Sequence, residues 1–372
     1  MKIRRAIVID IGSSLMKAGF SDEDYPRWIF STLLGYPRFM NIMDDVDHYI
    51  RNYYVGEEAQ QLRGVLNLVY PVECGLVVNW DAITKIWNEY FQRYFQINPS
   101  EHPVLLTEPP LHPTRNREKM AEVFFEIFNV PAIYVSISAV LSLYASGRTT
   151  GVIVDMGESV TQVVPIYEGL PISQAISRLD IGGSDITQYF HRLLRRSGYS
   201  LSLIRDIKER LCYVALDPER EQESDREEQY ILPDGEAITL GTERFLAPET
   251  YFHPTAMEQE EQALHEVINN TLQQCDTNLR SELCQNIILS GGSSLFPGLK
   301  ERLHKELSKM LPKTKIRIIT PSERQYSAWI GGSLLSSMAA FKQHWITREE
   351  YKKRGSSVIN RCIESPFIPK KD

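Results

Sequence analysis

The sequence contains few cysteines, no long apolar run and no surplus of basic residues. Its five cysteines are odd in number and widely separated, which argues against a disulfide framework, and no Cys-x-x-Cys pair indicates a zinc site. The eight histidines are equally dispersed, so we expect no metal site built from side-chain clusters. No stretch approaches the roughly 18 to 20 apolar residues needed to cross a bilayer.

The charge balance excludes further classes of protein. The 372 residues include 41 basic and 48 acidic side chains, which gives a formal net charge of −7. We therefore expect no binding to nucleic acid or to membranes, because no basic excess is present to neutralise phosphates. Residues 1–12 lack the small-residue cleavage site of a secretory signal, so an intracellular location is expected. The length suits two domains or one large two-lobed body.

An internal repeat is the most informative feature of the sequence. Residues 6–14 (AIVIDIGSS) resemble residues 151–159 (GVIVDMGES). Each segment is a β-branched run, typical of a strand buried on both faces, and ends in Asp-x-Gly with small or polar residues, typical of a tight turn. A second strand is predicted after each turn, over 15–20 and 160–166. The chain therefore consists of two related halves that each open with a hairpin.

Helix and strand patterns alternate after each hairpin, which predicts an α/β architecture with two sheets in one compact body. We place Gly331 and Gly332 at the start of the last predicted helix. The other predicted elements are a helix over 81–95, a strand over 103–108, helices over 116–128 and 138–146, a strand over 287–290 and a helix within 326–341.

The two hairpins predict a phosphate-binding site. An Asp at the end of a buried strand can hold a divalent cation through water, while the backbone N–H groups of the adjoining turn face phosphate oxygens. Lys17 adds a cation after the first turn, and Gly291 and Gly292 form a third glycine turn. Together these features predict a nucleoside polyphosphate as ligand, and the alternative is that the hairpins are only structural turns.

Beyond the hairpins, several segments resemble those of actins, and the chain as a whole resembles the actin-related proteins over about residues 5 to 363. Within that family it resembles the divergent testis and sperm-head members. The segments that carry the resemblance are 54–59 (YVGEEA), 106–108 (LTE), 116–120 (NREKM), 144–151 (YASGRTTG), 205–209 (RDIKE) and 329–333 (WIGGS).

The resemblance implies the two-lobed α/β fold shared with hexokinase and the seventy-kilodalton heat-shock chaperones, with ATP or ADP and Mg²⁺ or Ca²⁺ in the cleft. The first lobe would comprise residues 1–143 and 327–372, with an outer subdomain at about 32–70. The second lobe would comprise residues 144–326, with an outer subdomain at about 182–258.

The resemblance also implies which residues bind the nucleotide. Asp10 and Asp155 would hold the cation through water. The nucleotide contacts would come from Asp10, Gly12, Ser13, Ser14, Leu15 and Lys17 on the first hairpin, from Asp155, Gly157, Glu158 and Ser159 on the second, and from Gly183, Arg205, Lys208, Glu209, Gly292, Ser293, Leu295, Phe296 and Gln325 around the nucleoside.

Two positions predict slow or negligible ATP hydrolysis. Ser138 and Gln162 stand where actins carry the glutamine and histidine that position the attacking water. Serine is too short to reach that water directly, and a neutral amide cannot relay a proton as an imidazole does. The protein is therefore expected to be at most a weak ATPase.

The nucleotide site departs from the actin pattern at further positions. Ile11 and Met156 replace short polar residues beside the hairpin aspartates, and Ser14 and Ser159 replace glycines, which is unfavourable if those turns need positive φ. Gln325 replaces a lysine that packs near the adenine. We expect these changes to weaken ATP binding relative to actin.

The surfaces by which actins assemble have also diverged, so a conventional homopolymer is not expected. The loop at about 39–52 contains Asp44, Asp45 and Asp47, and the loop at 256–262 reads AMEQEEQ. Burying such charges in a neighbouring subunit would cost several kcal/mol. About six residues are missing after Tyr199 relative to actins.

The groove at the base of the lobes can have either of two roles. It could accept a partner's amphipathic helix, or its side chains could pack against the C-terminal helix. The tail at 364–372 extends past the usual actin terminus and is predicted to be disordered. The groove residues are Tyr144, Leu334, Leu335, Met338 and His344.

The expected function is that of an actin-like nucleotide-binding structural protein, a subunit of a cytoskeletal or multi-protein assembly. The expected partners are cytoskeletal or actin-binding proteins, and the expected location is the cytoplasm and cytoskeleton, with a nuclear pool as an alternative. Two other functions remain open at this point. One is a polymerising actin-like ATPase, and the other is a subunit of a dynactin-type or chromatin-remodelling complex.

Overall fold

The computed structural model describes residues 4–38, 51–195, 198–224, 226–258 and 260–363. In these ranges, no helix is both long enough and apolar enough to cross a membrane. The chain divides into two units: the first comprises Met1–Gly147, Glu168–Leu170 and Tyr326–Asp372, and the second comprises Arg148–Tyr167 and Pro171–Gln325.

The strands follow the β-branched and alternating segments of the sequence. They are β1 (Ile7–Ile11), β2 (Leu15–Phe20), β3 (Trp28–Ser31), β4 (Leu34–Pro37), β5 (Tyr54–Val55), β6 (Leu66–Val69), β7 (Val72–Glu73), β8 (Leu76–Val77), β9 (Val104–Glu108), β10 (Ala132–Ile137), β11 (Gly151–Met156), β12 (Thr161–Tyr167), β13 (Leu170–Pro171), β14 (Ser177–Leu179), β15 (Glu228–Ile231), β16 (Ala237–Leu240), β17 (Ile287–Ser290), β18 (Ile318–Ile319) and β19 (Ile346–Thr347).

The helices alternate with these strands. They are α1 (Gly56–Gln61), α2 (Trp80–Glu89), α3 (Thr114–Glu122), α4 (Ser138–Ala145), α5 (Gly183–Leu194), α6 (Leu201–Leu211), α7 (Pro218–Gln222), α8 (Glu243–Glu249), α9 (Leu264–Gln274), α10 (Thr277–Cys284), α11 (Leu299–Met310), α12 (Ser327–Ser337) and α13 (Arg348–Arg354). Short 3-10 segments are Pro99–Glu101, Ser173–Ala175, Pro254–Met257, Gly292–Leu295, Arg324–Tyr326, Ala339–His344 and Ser356–Ile363.

A six-stranded sheet forms the centre of the first unit. Its order is β19-β10-β9-β1-β2-β3, in which β1 pairs antiparallel with β2 and parallel with β9. All five side chains of β1 are buried, because both faces of the sheet are covered. The prediction of a fully buried first strand, and of its partner over 15–20, is confirmed.

A second sheet organises the second unit in the same way. Strand β11 pairs antiparallel with β12 and parallel with β17, and β17 pairs with β18. Strand β14 pairs with β12. The two sequence repeats therefore occupy equivalent positions in their sheets: each begins with a central strand between its hairpin partner and a parallel strand.

The structure corrects some predicted helices. The segment predicted as one helix over 81–95 is α2 followed by a π-helical segment, Tyr90–Phe95, and the segment predicted over 116–128 is α3 followed by another, Val123–Ile127. In both cases bulky aromatic side chains enter the core at the wider turn.

The predicted placement of Gly331 and Gly332 is wrong. Both lie inside α12, where sequence rules disfavour glycine. A Cβ at Gly331 would overlap the carbonyl oxygen of Leu141 in α4, and one at Gly332 would lie 2.8 Å from Val8 Cγ1. Gly331 is needed because α12 packs closely on α4, and Gly332 because α12 packs closely on β1, so tertiary packing outweighs helix propensity here.

Candidate functional site

The carboxylate at the end of β1 is held by two side chains. Asp10 lies opposite Lys17 in the β1–β2 hairpin, and Lys17 Nζ is 3.0 Å from Asp10 Oδ2. Thr107 Oγ1 donates to Asp10 Oδ1 at 2.9 Å and accepts the Ile11 N–H at 2.9 Å. Because Asp10 is only 7% exposed, these contacts fix the direction in which its carboxylate faces.

Thr107 is a site residue that the sequence analysis did not identify. It follows Leu106, which pairs in parallel register with Ile9, so the next position on β9 lies beside Asp10. The available signal is a single hydroxyl that directly follows the apolar run Val104–Leu106 and directly precedes the buried Glu108. Only the pairing of β9 with β1 shows that this hydroxyl belongs to the hairpin.

The turn after β1 presents backbone and hydroxyl groups. A Cβ at Gly12 would overlap the carbonyl oxygen of Leu15, so the turn excludes any larger residue. Ser13 Oγ accepts the Gly75 N–H at 3.0 Å, and Leu15 is 40% exposed. Ser14 does not have positive φ, and neither does Ser159 in the second hairpin, so the strain considered for these two serines is not present.

A row of polar residues crosses the second sheet beside β11. Asp155 lies opposite Gln162 on β12, Gln162 lies opposite Arg178 on β14, and Ser290 on β17 lies beside Asp155. Directly opposed residues of antiparallel strands share one face of a sheet. Gln162 thus lies between an acidic and a basic residue. Arg178, whose Nε is 2.5 Å from Asp180 Oδ1, is not among the residues predicted from the sequence.

A charge cluster follows the second hairpin. Arg205 Nη2 lies 2.5 Å from Glu158 Oε1, and Lys208 Nζ donates to the Gly183 carbonyl oxygen at 2.9 Å. Burial raises the pKa of Glu158, although Arg205 and Lys208 oppose this. Burial also lowers the pKa of Lys208, which is only 3% exposed, against the opposing effect of Glu158. Buried charges of this kind are stabilised by a charged ligand.

Three turns meet around this cluster. A Cβ at Gly183 would lie 2.6 Å from Ser293 Oγ and 2.8 Å from Glu158 Oε2, so a larger residue would displace these two side chains. Ser293 Oγ donates to the Gly157 carbonyl oxygen at 2.9 Å. Gly291, at φ +85°, lies against the carbonyl oxygen of Met156. The structure therefore brings together the predicted residues of three segments that are distant in sequence.

The remaining predicted residues vary in exposure. Glu209 and Gly292 are exposed, Ser159 and Gln325 are half-buried, Leu295 is 37% exposed and Phe296 is 8% exposed.

The positions predicted to affect hydrolysis lie in different units. Ser138 is the half-buried first residue of α4 in the first unit, and Gln162 belongs to the second unit. Of the groove residues, Leu334 and Met338 are about half exposed, whereas Leu335 is buried in the core of the first unit.

Each unit by itself contains residues that suit part of a nucleotide with a divalent cation. In the first unit Asp10 suits a hydrated Mg²⁺ or Ca²⁺ and Lys17 suits phosphate oxygens, and in the second unit Asp155 and Lys208 have the same chemistry. At Gly12 the backbone of the turn approaches itself closely, whereas the Gly183 N–H is donated to the Gly157 carbonyl oxygen at 3.0 Å. Over the described part of the chain, no group of three or more His, Cys, Asp or Glu residues is placed to hold a metal ion directly.

Comparison with protein families gives a match along almost the entire chain. The family model described as Actin matches residues 2–202 and 198–364. Both hairpins, the charge cluster and the third glycine turn lie within the matched residues.

Proposed function

The chain belongs to the actin family, which confirms the predicted α/β, actin-type fold class, and on this premise we propose that it is an actin-like nucleotide-binding structural protein. It binds ATP or ADP with Mg²⁺ or Ca²⁺, hydrolyses ATP slowly or not at all, and acts as a subunit of a cytoskeletal or multi-protein assembly. Among family members, the proposal favours the testis and sperm-head type of actin-related protein that the sequence resembles.

The observation that carries the proposal is the equivalent placement of Asp10 and Asp155. Each aspartate lies near the end of a central strand, β1 or β11, beside an antiparallel hairpin partner and a parallel strand. Structural turns alone do not require an acid at the same position of two sheets. In this proposal each carboxylate orients water on a cation that is bound to a polyphosphate, while Asp10 keeps its ion pair with Lys17.

The chain's own residues have distinct roles in this proposal. Asp10 and Asp155 orient water molecules on the cation, and Thr107 fixes the Asp10 carboxylate. Lys17 balances phosphate charge, while Lys208 and Arg205 hold the nucleoside end together with Glu158.

Nucleotide content is the direct test of binding. Protein purified without added nucleotide, then gently denatured, is expected to release ATP or ADP that mass spectrometry detects. Asp155→Asn should lower the bound fraction at least about tenfold, since a charged group that faces the cation is lost. Asp234→Asn, a change of the same kind in an exposed turn, should not change the bound fraction. Protein that never carries nucleotide would contradict the proposal.

Slow hydrolysis is proposed from Ser138 and Gln162. The cross-strand position of Gln162 between Asp155 and Arg178 supports this, because a neutral amide stands where an imidazole could relay a proton. Phosphate release by the parent protein should be close to background. The double variant Ser138→Gln, Gln162→His should hydrolyse faster by about 10²-fold if these positions limit the rate. Actin-like turnover by the parent protein would refute this part of the proposal.

We propose cytoskeletal or actin-binding proteins as partners, in the cytoplasm or on the cytoskeleton. The exposed apolar side chains of Leu334 and Met338 support docking of a partner's helix at the predicted groove. Affinity purification with identification of the bound proteins tests this. The double variant Leu334→Asp, Met338→Asp should lose those partners, whereas Val65→Asp, at another exposed apolar residue, should retain them.

A further inference from the structure

A cavity in the second unit is lined by the residues that follow the third glycine turn, from Ser294 to Gly298. Its volume is about 170 Å³, whereas a single water molecule needs roughly 10 to 15 Å³ by the same measure. The lining shares Leu295 and Phe296 with the predicted nucleotide contacts, but it contains none of Glu158, Arg205 and Lys208, the charge cluster beside the second hairpin. The polar side chains of the lining come from Ser294, Lys300, Glu301, Thr320 and Arg324.

Arg324 provides the main charge of this cavity. Its guanidinium donates to the carbonyl oxygen and hydroxyl of Ser294 and to the Pro321 carbonyl oxygen, at 3.0 to 3.3 Å. All of these acceptors are neutral, and among the described residues no carboxylate forms an ion pair with Arg324. Burial lowers the pKa of Arg324, as is expected for a cation without a counter-ion. Arg324 thus contributes to the lining a half-buried positive charge that is not part of an ion pair among the described residues.

Lys300 adds a second cation at an unusual place. It lies in the first turn of α11, where the helix dipole disfavours a positive side chain, and Gly298, the residue before the helix, provides no side-chain cap. Glu301, the acid of the cavity lining, follows Lys300 in the same turn, and both side chains are exposed. Together with Arg324, the lining therefore has two cations and one acid.

We propose that this cavity is a binding site for a small oxyanion, a phosphate or carboxylate group, held by Arg324 and Lys300. Thr320 supplies a hydroxyl donor, and the start of α11 adds a favourable field. The anion is distinct from the nucleotide of the proposed function, and its binding does not depend on that nucleotide.

An occupied site would also act on the neighbouring turn. Arg324 contacts this turn twice, since its backbone carbonyl accepts the Gly291 N–H at 3.0 Å and its side chain holds Ser294. Gly291 and Ser294 flank Gly292 and Ser293, two predicted nucleoside contacts. An anion on Arg324 is therefore expected to stiffen the turn, an effect that rests on the proposed function.

Titration of inorganic phosphate into the full-length protein at constant ionic strength, followed by calorimetry, tests the site. Lys300→Ala should weaken phosphate binding about threefold or more, and Glu301→Gln should strengthen it. Lys313→Ala removes an exposed lysine outside the cavity and should have no effect. These variants leave Arg324 and its turn intact, so loss of folding does not confuse the result.

Two further titrations define the ligand. Acetate under the same conditions separates a carboxylate from a phosphate ligand, and binding of either anion with the Lys300 and Glu301 pattern supports the site. Titration after saturation with ATP separates the cavity from the nucleotide site, because phosphate should still bind with unchanged affinity. Displacement of phosphate by ATP, binding of neither anion, or equal effects of Lys300→Ala and Lys313→Ala would overturn the proposal. Failure of ATP itself to bind would contradict only the proposed function.

Discussion

At the scale of single residues, two threonines of the first unit differ in how their hydroxyls are used. Thr107 bridges the Asp10 carboxylate and the Ile11 N–H. Thr32 is fully buried, and its Oγ1 has no hydrogen-bond partner among the described residues. A buried hydroxyl without a partner loses its hydration without compensation, whereas a bridging hydroxyl satisfies two groups at once.

These threonines give opposite predictions for the same isosteric change. Thr32→Val should leave the free energy of unfolding unchanged or raise it by about 1 kcal/mol, because an unpaired polar group is removed. Thr107→Val should lower it by about 1 to 3 kcal/mol, because Asp10 and the Ile11 N–H each lose a bond. Urea denaturation of both variants measures the difference, and equal effects would contradict the assigned hydrogen bonds.

At the scale of secondary-structure elements, the packing of α12 on α4 depends on a missing side chain. Gly331→Ala is expected to destabilise the protein by about 3 kcal/mol, because the added Cβ would overlap the Leu141 carbonyl oxygen and the helices would have to separate. Gly64→Ala is the matched control: no heavy atom lies within 4 Å of its Cβ position, and its φ is not positive. Thermal unfolding should show a large loss for the first variant and little change for the second.

Helix α13 provides a prediction about pH. Glu350 is the third residue of α13, and it accepts the Thr347 N–H in a capping box and pairs with Arg361 at 2.7 Å. Burial alone would raise its pKa, but the bonds from Arg361 and Thr347 outweigh this and lower the pKa below the ordinary 4.5.

The sign of the effect follows from that direction. An acid with a lowered pKa in the folded state stabilises the protein fully above about pH 4.5, and this contribution disappears as the pH falls through the lowered value. Glu350→Gln should therefore reduce stability at pH 7 and show a smaller loss of stability on acidification than the parent. Urea midpoints measured between pH 7 and pH 3 provide the test, and parallel curves for the two proteins would argue against the contribution.

At the scale of the whole molecule, the question is whether the chain assembles with copies of itself. The loop at 256–262 exposes Glu258 and Glu260 beside a buried Met257, so its surface is charged. Residues 39–50 of the acidic loop and the whole tail at 364–372 lie outside the described residues. The absence of a conventional filament therefore stays a prediction that rests mainly on the sequence of these loops.

Sedimentation in salt and Mg²⁺ tests this prediction. The parent protein is expected to remain in the supernatant at concentrations where actin pellets, because burying several carboxylates in a neighbouring subunit is unfavourable. The triple variant Glu258→Gln, Glu260→Gln, Glu261→Gln removes that charge and should pellet more if the loop is the main barrier. An ordered pellet from the parent protein would refute the prediction.

The sequence by itself determined the fold class and the two hairpins. Both depend on local patterns, since a β-branched run followed by Asp-x-Gly forms a buried strand and a tight turn wherever it occurs. The tertiary structure alone decided which distant residues complete the site. Thr107 lies 97 positions from Asp10, and Arg178 reaches the Asp155 row only through strand pairing.

Burial and close packing were likewise decided by tertiary structure. The charged Lys208 becomes a buried cation because three turns surround it, and Gly331 is placed inside a helix because another helix packs closely against it. Such effects arise from the surroundings that the folded chain provides, and local sequence does not record which neighbours those will be.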